Sequence, residues 1–194
     1  MKICLFGGTF DPPHFGHLIL AQTIFEAEHF DQIVFVPAHT SPHKDKTVVS
    51  SVKLRKEMVK IAIQENPNFI LSDIEIKRGG ISYSFDTIIE YKKKTGIDSK
   101  DLFYLIGSDA LKTFHSWHNS YQILDECQII VAIRPGFRPS DINNKILARI
   151  QFANIPRIEI SSTQIRKRWR KDKTIRYMVS QPVWEFINEN KLYL

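Results

Sequence analysis

The sequence predicts an α/β protein built on a doubly wound parallel sheet with helices on both faces. Short apolar segments of β-type composition alternate along the chain with longer segments of helical periodicity. The apolar segments are continuous rather than alternately apolar and polar, which is typical of strands buried on both faces of a parallel sheet. With 194 residues, 43% of them hydrophobic, and no linker rich in Pro, Gly or Ser, the chain is expected to form a single domain over residues 1–194.

The alternation assigns strands and helices to most of the chain. The predicted strands are residues 3–6, 33–36, 69–76, 102–106, 129–133 and 157–160. The predicted helices are residues 17–28, 51–64, 85–94, 121–125, 142–150, 163–170 and 183–190. Open parallel sheets of this Rossmann-like kind bind ligands in the crevice beyond the carboxyl ends of their strands. A site is therefore expected where polar segments leave the strands.

The composition indicates which kind of partner the protein binds and in which cellular compartment it works. The chain has 27 Lys and Arg against 21 Asp and Glu, a net charge of +6, which favours anionic partners such as the phosphates of a nucleotide. No apolar run approaches the roughly 18 residues needed to cross a bilayer, and the apolar start of the chain is too short for a signal peptide. We therefore expect a cytoplasmic protein with no membrane partner, whose Cys4 and Cys127 are buried thiols.

The most informative segment is the glycine-rich one that follows the first predicted strand. It reads Gly7-Gly8-Thr9-Phe10-Asp11-Pro12-Pro13-His14-Phe15-Gly16-His17. Gly7 and Gly8 permit the close approach of a phosphate to peptide N–H groups, and Gly16 would let a ligand lie against the start of the next helix. His14 and His17 are three residues apart, so on one helical turn their rings project to the same side. Two imidazoles there suit the stabilisation of a phosphoryl group that gains charge, and we predict that both are catalytic.

This segment also carries a family resemblance. The element His14-Phe15-Gly16-His17 matches the HxGH signature of the nucleotidyltransferase superfamily, and the longer string closely resembles the GGTFDPPHxGH of bacterial nicotinate-nucleotide adenylyltransferases. A zinc site is a weaker interpretation of the two histidines, because the acid of an HExxH motif is absent. We therefore expect no metal held by the protein. The resemblance implies ATP contacts from Gly7, Gly8, Thr9, Phe10 and His17, with Thr9 also near the second substrate.

A second candidate phosphate site follows the last predicted strand. In the run Ile160-Ser161-Ser162-Thr163-Gln164-Ile165-Arg166, Ser161 and Gln164 form an S-x-x-Q capping pattern. The N–H groups of Ser162 and Thr163 would then be free to bind an anion, and the guanidinium of Arg166 suits the β- and γ-phosphates of ATP. The run resembles the ISSTxIR motif of the same family, which implies triphosphate contacts from Ser161, Ser162, Thr163 and Arg166.

The cations that continue this helix allow another interpretation. Lys167, Arg168 and Arg170 could form a patch that binds nucleic acid. Only some of these side chains share a helix face, and Trp169 lies at helical spacing from Ile165, so it is expected in the core. We therefore expect solvated cations here and no nucleic-acid partner.

Three further segments could contact the acceptor of the adenylyl group. Lys44 lies in the long loop 39–49 after the second predicted strand, where a cation could meet a phosphate. The segment 82–87 opens a helix, where an N–H or a hydroxyl could bind a carboxylate. Trp117 offers an aromatic plane on which a pyridine ring could stack.

Similar elements line the pocket of the nicotinate-nucleotide adenylyltransferases, namely PHK, SYTxDT, GAD, a tryptophan and RPG. In this sequence Ser84 stands where threonine is usual, and Ser108 stands where alanine is usual. The resemblance places Asp109, with Gly107, on the ATP side. The substrate-binding residues that it implies are Thr9, Lys44, Ser84, Thr87, Trp117 and Arg134.

We predict direct in-line displacement, in which the 5′-phosphate of a mononucleotide attacks the α-phosphorus of ATP and pyrophosphate leaves. The resemblance implies nicotinate mononucleotide as the acceptor and deamido-NAD as the product. No activated nucleophile is evident in the sequence, so no covalent intermediate is expected. Mg²⁺ would be carried by ATP without dedicated protein ligands. The alternatives left open are nicotinamide mononucleotide, the phosphopantetheine or riboflavin phosphate of other HxGH transferases, and a basic nucleic-acid-binding protein without catalysis. The oligomeric state is also left open, and a homo-oligomer is compatible with the sequence.

Overall fold

A computed structural model describes residues 1–42, 50–133, 137 and 142–194. At its centre lies a sheet of 6 strands in the order β3-β2-β1-β4-β5-β6. The strands are β1 Ile3–Gly8, β2 Gln32–Pro37, β3 Phe69–Leu71, β4 Leu102–Gly107, β5 Gln128–Ile133 and β6 Ile150–Asn154. Each neighbouring pair is parallel, so the predicted doubly wound α/β class is confirmed.

Helices connect these strands. They are α1 Phe15–Ala27, α2 Val52–Ile63, α3 Ile74–Arg78, α4 Ser84–Thr95, α5 Ser108–Thr113, α6 Ser120–Glu126, α7 Asn144–Leu147, α8 Ser162–Trp169 and α9 Gln181–Glu189. A short 3₁₀ turn at Phe114–Ser116 follows α5. Within the described residues, no helix is long and apolar enough to cross a membrane.

Alternate residues of each central strand supply two separate apolar cores. Ile3 and Leu5 of β1 pack into one core, which also contains residues of α4 and α6. Cys4 and Phe6 pack into the other, together with residues of α1 and α2. This alternation follows from the two-residue period of a strand, and it explains why the strands read as continuous apolar runs.

The order of the strands reverses at β1, because β2 and β3 are added on one side of it and β4, β5 and β6 on the other. Strand β1 pairs with β2 on one side and with β4 on the other. The chain leaves β1 at Gly8 and β4 at Gly107, so the loop after β1 and the start of α5, which follows β4 directly, flank a crevice. Ligands of doubly wound sheets bind in such a crevice.

A third apolar cluster brings the end of the chain to the same region. Met58 of α2 packs there with Val183 and Ile187 of α9, and Tyr193 is also buried in it. The cluster therefore fixes the last residues of the chain beside α2, close to the loop after β1.

The predicted strand 69–76 is correct only in its first half. β3 ends at Leu71, and α3 begins at Ile74 after the polar pair Ser72 and Asp73. The carboxylate of Asp73 pairs with Lys56 at 2.7 Å and with Lys77 at 3.0 Å. The pair with Lys77 lies within the first turns of α3, and the pair with Lys56 joins this turn to α2. Both contacts stabilise a helix start at a place where the apolar composition favours a strand.

The predicted strand 157–160 is wrong, and so is the end of the predicted helix 142–150. Only Asn144–Leu147 is helical there, and the sixth strand, Ile150–Asn154, pairs with β5 at the edge of the sheet. Phe152 on this strand is partly exposed, as an edge strand allows. Pro156 follows the strand and cannot donate to a ladder, so the apolar residues beyond it lie outside the sheet.

Both cysteines are buried and free of disulfides, as predicted. Burial raises the pKa of the Cys127 thiol to about 12. It also raises the pKa of Cys4 far above its usual value. Both side chains are therefore protonated near neutral pH and unreactive as nucleophiles.

Candidate active site

A cleft opens at the carboxyl ends of β1 and β4, where the strand order reverses. Its volume is about 370 Å³, which lies within the usual range for ligand pockets. Residues from the ends of β1 and β4, the loops after β1 and β2, the helices α1 and α3, the starts of α4, α5 and α8, and the segment after α5 line it. These are Gly7, Gly8, Thr9, Phe10, His17, Ala38, Ser41, Pro42, Glu75, Ser82, Tyr83, Ser84, Tyr104, Gly107, Asp109, Ala110, Trp117, His118 and Ser162.

The two predicted catalytic histidines lie together at the start of α1. Their rings are stacked, with centroids 3.7 Å apart and planes at 25°. The backbone N–H of His14 donates to Nδ1 of His17 over 3.2 Å, so the proton of the neutral His17 ring lies on Nε2. His14 is buried, whereas His17 borders the cleft. His17 is therefore the histidine that can present an N–H to a ligand.

The glycine between the two histidines has a different role from the one the sequence predicts. A Cβ on Gly16 would lie 3.0 Å from Nδ1 of His14 and 3.1 Å from its Cε1. The ring of His14 therefore occupies the space that was expected to admit a ligand. A side chain larger than that of glycine would crowd the His14 ring and disturb its stacking on His17.

Gly7 and Gly8 border the cleft as predicted, but they also make room for aromatic side chains. A Cβ on Gly7 would lie 2.6 Å from the hydroxyl of Tyr104, and a Cβ on Gly8 would lie 2.8 Å from the ring of Phe10. Phe10 in turn meets His17 edge to face, with 5.0 Å between the ring centroids. Phe10 is 1% exposed, so its main contribution is to support the His17 ring.

The start of α8 is docked onto the loop after β1. The hydroxyl of Ser162 donates to the carbonyl oxygen of Pro12 over 2.9 Å. Nη1 of Arg166 donates to the carbonyl oxygen of Asp11 over 2.7 Å. The two motifs that the sequence singles out, far apart in the chain, are thus in direct contact.

The remaining residues of the second motif shape this helix start. Ser161 is the N-cap of α8, and its hydroxyl accepts from the backbone N–H of Gln164 over 3.2 Å, as the capping pattern predicts. Nη2 of Arg166 donates to the hydroxyl of Thr163 over 3.3 Å. Among the described residues that line the cleft, α8 contributes Ser162. Arg166 lies behind it with part of its guanidinium already bound to the protein.

Two of the predicted acceptor residues, Ser84 and Trp117, also border the cleft. The hydroxyl of Ser84 at the start of α4 lies 2.9 Å from that of Tyr104. Trp117 borders the cleft and packs on Phe114 with ring centroids 5.4 Å apart. Its neighbour His118 packs on Tyr83 in the same way at 4.7 Å, so aromatic rings form this wall.

Thr87 does not reach the cleft with its side chain. The residue is fully buried, and its hydroxyl donates to Oε1 of Glu75 over 2.6 Å. Nη2 of Arg78 donates to the same hydroxyl over 2.9 Å. In this conformation the hydroxyl of Thr87 is bound within the protein and holds the start of α4 against α3. The contact between Thr87 and the substrate that the resemblance implies stays a prediction.

Gly107 and Asp109 lie at the carboxyl end of the predicted strand 102–106, where β4 passes directly into α5, and both border the cleft. Lys44 and Arg134 lie outside the described residues. Thr9 borders the cleft from the loop after β1.

Two buried charged residues near the cleft were missed in the sequence. Arg55 is 1% exposed and Glu75 is 4% exposed. Burial lowers the pKa of Arg55, although the neighbouring Asp11 opposes this effect. Burial raises the pKa of Glu75, although hydrogen bonds from Thr87 and Ser82 oppose it. Arg55 lies three and four residues before the apolar Met58 and Val59 on α2, and this helical spacing was the signal that could have identified it as buried.

Comparison with known proteins identifies the family of this chain. The sequence model of the cytidylyltransferase-like family matches residues 5–168, which defines the class of protein. A probable nicotinate-nucleotide adenylyltransferase of Exiguobacterium sibiricum is 42% identical over 193 residues, covering 100% of this chain and 99% of the relative. The nicotinate-nucleotide adenylyltransferase of Bacillus subtilis is 38% identical over 192 residues, covering 99% and 98%. The chain belongs to the nicotinate-nucleotide adenylyltransferase family within the cytidylyltransferase-like proteins.

Solved structures share the fold over nearly the whole chain. Plasmodium falciparum nicotinic acid mononucleotide adenylyltransferase complexed with NaAD has a TM-score of 0.80 at 22% identity, covering 99% of this chain and 97% of that one. The same enzyme complexed with APC has a TM-score of 0.77 at 21% identity, covering 99% and 96%. At these identities the likeness concerns the fold, and it agrees with the predicted Rossmann-like sheet.

Proposed function

We propose that this protein transfers the adenylyl group of ATP to nicotinate mononucleotide, giving deamido-NAD and pyrophosphate. The observation that carries the proposal is the stacked pair of His14 and His17. His17 borders a cleft at the point where the strand order reverses. The names of the full-length relatives support the choice of acceptor. We assign the reaction to the cytoplasm.

The chemical step is a direct in-line displacement. An oxygen of the mononucleotide 5′-phosphate forms a bond to the α-phosphorus of ATP, and the bond from that phosphorus to the oxygen of pyrophosphate breaks. His17 donates from Nε2 to an oxygen on which negative charge develops. His14 acts through His17, because its backbone N–H fixes the tautomer and its ring fixes the plane of the imidazole.

The phosphates that leave are assigned to the side of the cleft formed by α8. The first N–H groups of this helix and its dipole favour an anion, and the hydroxyl of Ser162 borders the cleft. Arg166 adds a fixed positive charge there, since its contact with the carbonyl of Asp11 orients the guanidinium. Gly107 and Asp109 are assigned to the ribose side of ATP.

The acceptor is assigned to the wall that carries Ser84 and Trp117. The indole plane suits stacking on the pyridine ring. The first N–H groups of α4, at Ser84 and the two residues after it, suit the nicotinate carboxylate. Thr87 supports this helix start through its bond to Glu75. Lys44 and Arg134 are assigned to the mononucleotide phosphate side on resemblance alone.

Mg²⁺ is assigned to the phosphates of ATP. The described residues contain no group of three or more His, Cys, Asp or Glu arranged to hold a metal. Mg²⁺ needs few protein ligands, because it keeps several waters and binds phosphate oxygens. When bound, the ion supplies charge neutralisation on the phosphate oxygens.

Pyrophosphate release from Mg-ATP, with nicotinate and nicotinamide mononucleotide in parallel, tests the proposal. We expect release with the acid to be faster by at least about tenfold, because the N–H groups of a helix start favour a carboxylate over a neutral amide. Equal rates, or a preference for the amide, would overturn the choice of acceptor. No release with either would overturn the reaction itself.

A further inference from the structure

A buried arginine joins the two loops that flank the cleft. The β1 loop is residues 9–14, and the β2 loop is the described segment 38–42. Arg55 of α2 is 1% exposed. Its Nη1 donates to the carbonyl oxygen of Thr9 over 2.9 Å, and its Nη2 donates to the carbonyl oxygen of His39 over 3.0 Å. One planar group therefore binds both loops at once.

The contact made by Arg55 lies just beyond the last hydrogen bond between β1 and β2. The backbone N–H of Ala38 donates to the carbonyl oxygen of Gly8 over 2.9 Å, where β1 and β2 end. Past this point the two segments separate around the cleft, and among the described residues no strand pairing joins the β1 loop to the β2 loop. Arg55 supplies the next connection, and Thr9 and Ala38 both border the cleft.

Each loop is also tied to one side of the proposed site. In the β1 loop, Asp11 accepts at its carbonyl from Arg166, and its Oδ1 accepts from the hydroxyl of Tyr193 over 2.7 Å. In the β2 loop, the backbone N–H of His39 donates to the hydroxyl of Ser82 over 2.9 Å. Ser82 lies just before α4. A displacement of one loop relative to the other would therefore separate the ATP side from the acceptor side.

We propose that Arg55 is a positioning residue that sets the spacing between the β1 loop and the β2 loop, and with it the alignment of the two substrates. The inference rests on the proposed function. Arg55 is not among the residues that border the cleft, so it acts through the two carbonyl groups. In-line displacement is sensitive to such spacing, since an error of about 1 Å between reactants can cost on the order of 100-fold in rate.

A purely structural arginine would behave differently from a positioning one. Loss of a purely structural contact lowers the folded fraction and leaves the rate of each folded molecule unchanged. Loss of a positioning contact lowers the rate of the chemical step while each substrate still binds, because each loop keeps its other contacts. Single-turnover rates and separate binding constants distinguish these two outcomes.

The test uses Arg55→Lys and Arg55→Gln in the full chain. Lysine keeps the charge without the planar fork, and glutamine keeps one amide donor group without the charge. Lys60→Met is the matched control, because Lys60 lies on the same helix with its side chain 64% exposed. Folding is checked by circular dichroism, and the dissociation constants of a non-hydrolysable ATP analogue and of nicotinate mononucleotide are measured separately.

For both Arg55 variants we expect the single-turnover rate of pyrophosphate release to fall by about 10- to 100-fold per folded molecule. We expect each dissociation constant to change by less than about threefold and Lys60→Met to match the wild type. A rate within about threefold of wild type, or a loss explained by weaker binding of one substrate, would overturn the inference. So would failure of both variants to fold, which would make Arg55 a stability residue.

The wild-type protein separates this failure from failure of the proposed function. If the wild type is active and the Arg55 variants are equally active, only the inference about Arg55 is overturned. A wild type that releases no pyrophosphate with nicotinate mononucleotide removes the proposed function, and the inference with it.

Discussion

The imidazole of His17 is contacted from several sides, and each contact limits which amino acid can occupy the contacting position. The ring of His14 stacks on it, the edge of Phe10 meets it, and its Nδ1 accepts a backbone N–H. Gly16 leaves the space that the His14 ring occupies. The HxGH pattern therefore specifies a packed group as well as two ionisable side chains.

Replacing Gly16 with alanine tests this packing. The new Cβ would lie 3.0 Å from Nδ1 of His14, so we expect the stacked pair to shift and kcat to fall by about tenfold or more. Gly96→Ala is the control. Its φ of 72° makes alanine unfavourable by about 1–2 kcal/mol without crowding any neighbour. Steady-state kinetics should show the loss in the first variant only, and equal kcat values would contradict the packing role.

The buried carboxyl of Glu75 predicts a pH dependence of stability. Because burial raises its pKa in the folded state, the native protein binds this proton more tightly than the unfolded chain does. The stability that the group contributes is therefore present below the unfolded pKa and is lost as pH rises through the folded pKa.

Glu75→Gln removes this titration while keeping an oxygen that can accept from Thr87. Urea unfolding at several values between about pH 5 and pH 8 compares the two proteins. We expect the stability of the variant relative to wild type to increase as pH rises. A difference that is independent of pH, or that changes in the opposite direction, would show that Glu75 does not titrate in this way.

The placement of residues at the cleft was predictable where a motif supplied it. Both histidines and the glycines next to the cleft follow from the first motif. The burial of Thr87 and the role of Arg55 did not, because a hydroxyl or a guanidinium at a helix position does not reveal which partners the fold brings to it. Those partners, Glu75 for the first and two loop carbonyls for the second, are remote in sequence.

At the scale of elements, the docking of α8 onto the β1 loop joins the two motifs. Ser162→Ala removes the bond to the carbonyl of Pro12. We expect the KM for ATP to rise by about 3- to 10-fold, since a hydrogen bond of this kind contributes about 0.5–1.5 kcal/mol.

Arg168→Ala on the same helix is the control for this substitution. Arg168 donates to the carbonyl of Thr174 rather than to the β1 loop, so its removal should leave the KM for ATP near the wild-type value. An unchanged KM in Ser162→Ala, or an equal rise in both variants, would argue against a specific role for the docking contact.

Strands with continuous apolar runs were predicted well, and the edge of the sheet was not. β6 lies at the edge, where one side of the strand is exposed, so its residues lack the strongly apolar run of the central strands. α5 was missed because its helical residues begin directly after β4, and the Gly107-Ser108-Asp109 segment reads as a loop. Tertiary packing decides both cases.

At the scale of the whole molecule, the strand order makes the site. Placing β1 between β2 and β4 brings the β1 loop, the β2 loop and the start of α5 to one crevice, and packing α9 on α2 brings Tyr193 to the β1 loop. The alternation of strands and helices predicted the class of fold. It did not give the order of the strands, because order depends on which pairs of buried faces pack together rather than on any local pattern.

The most direct test of the central claim is the rate of pyrophosphate release by His17→Ala with Mg-ATP and nicotinate mononucleotide. Removing one preorganised donor to developing charge costs about 100- to 1,000-fold in other enzymes, and we expect a loss of this size in kcat with little change in either KM. Thermal unfolding serves as the check that the variant is folded. A folded variant whose kcat stays within about threefold of wild type would contradict the catalytic role of His17.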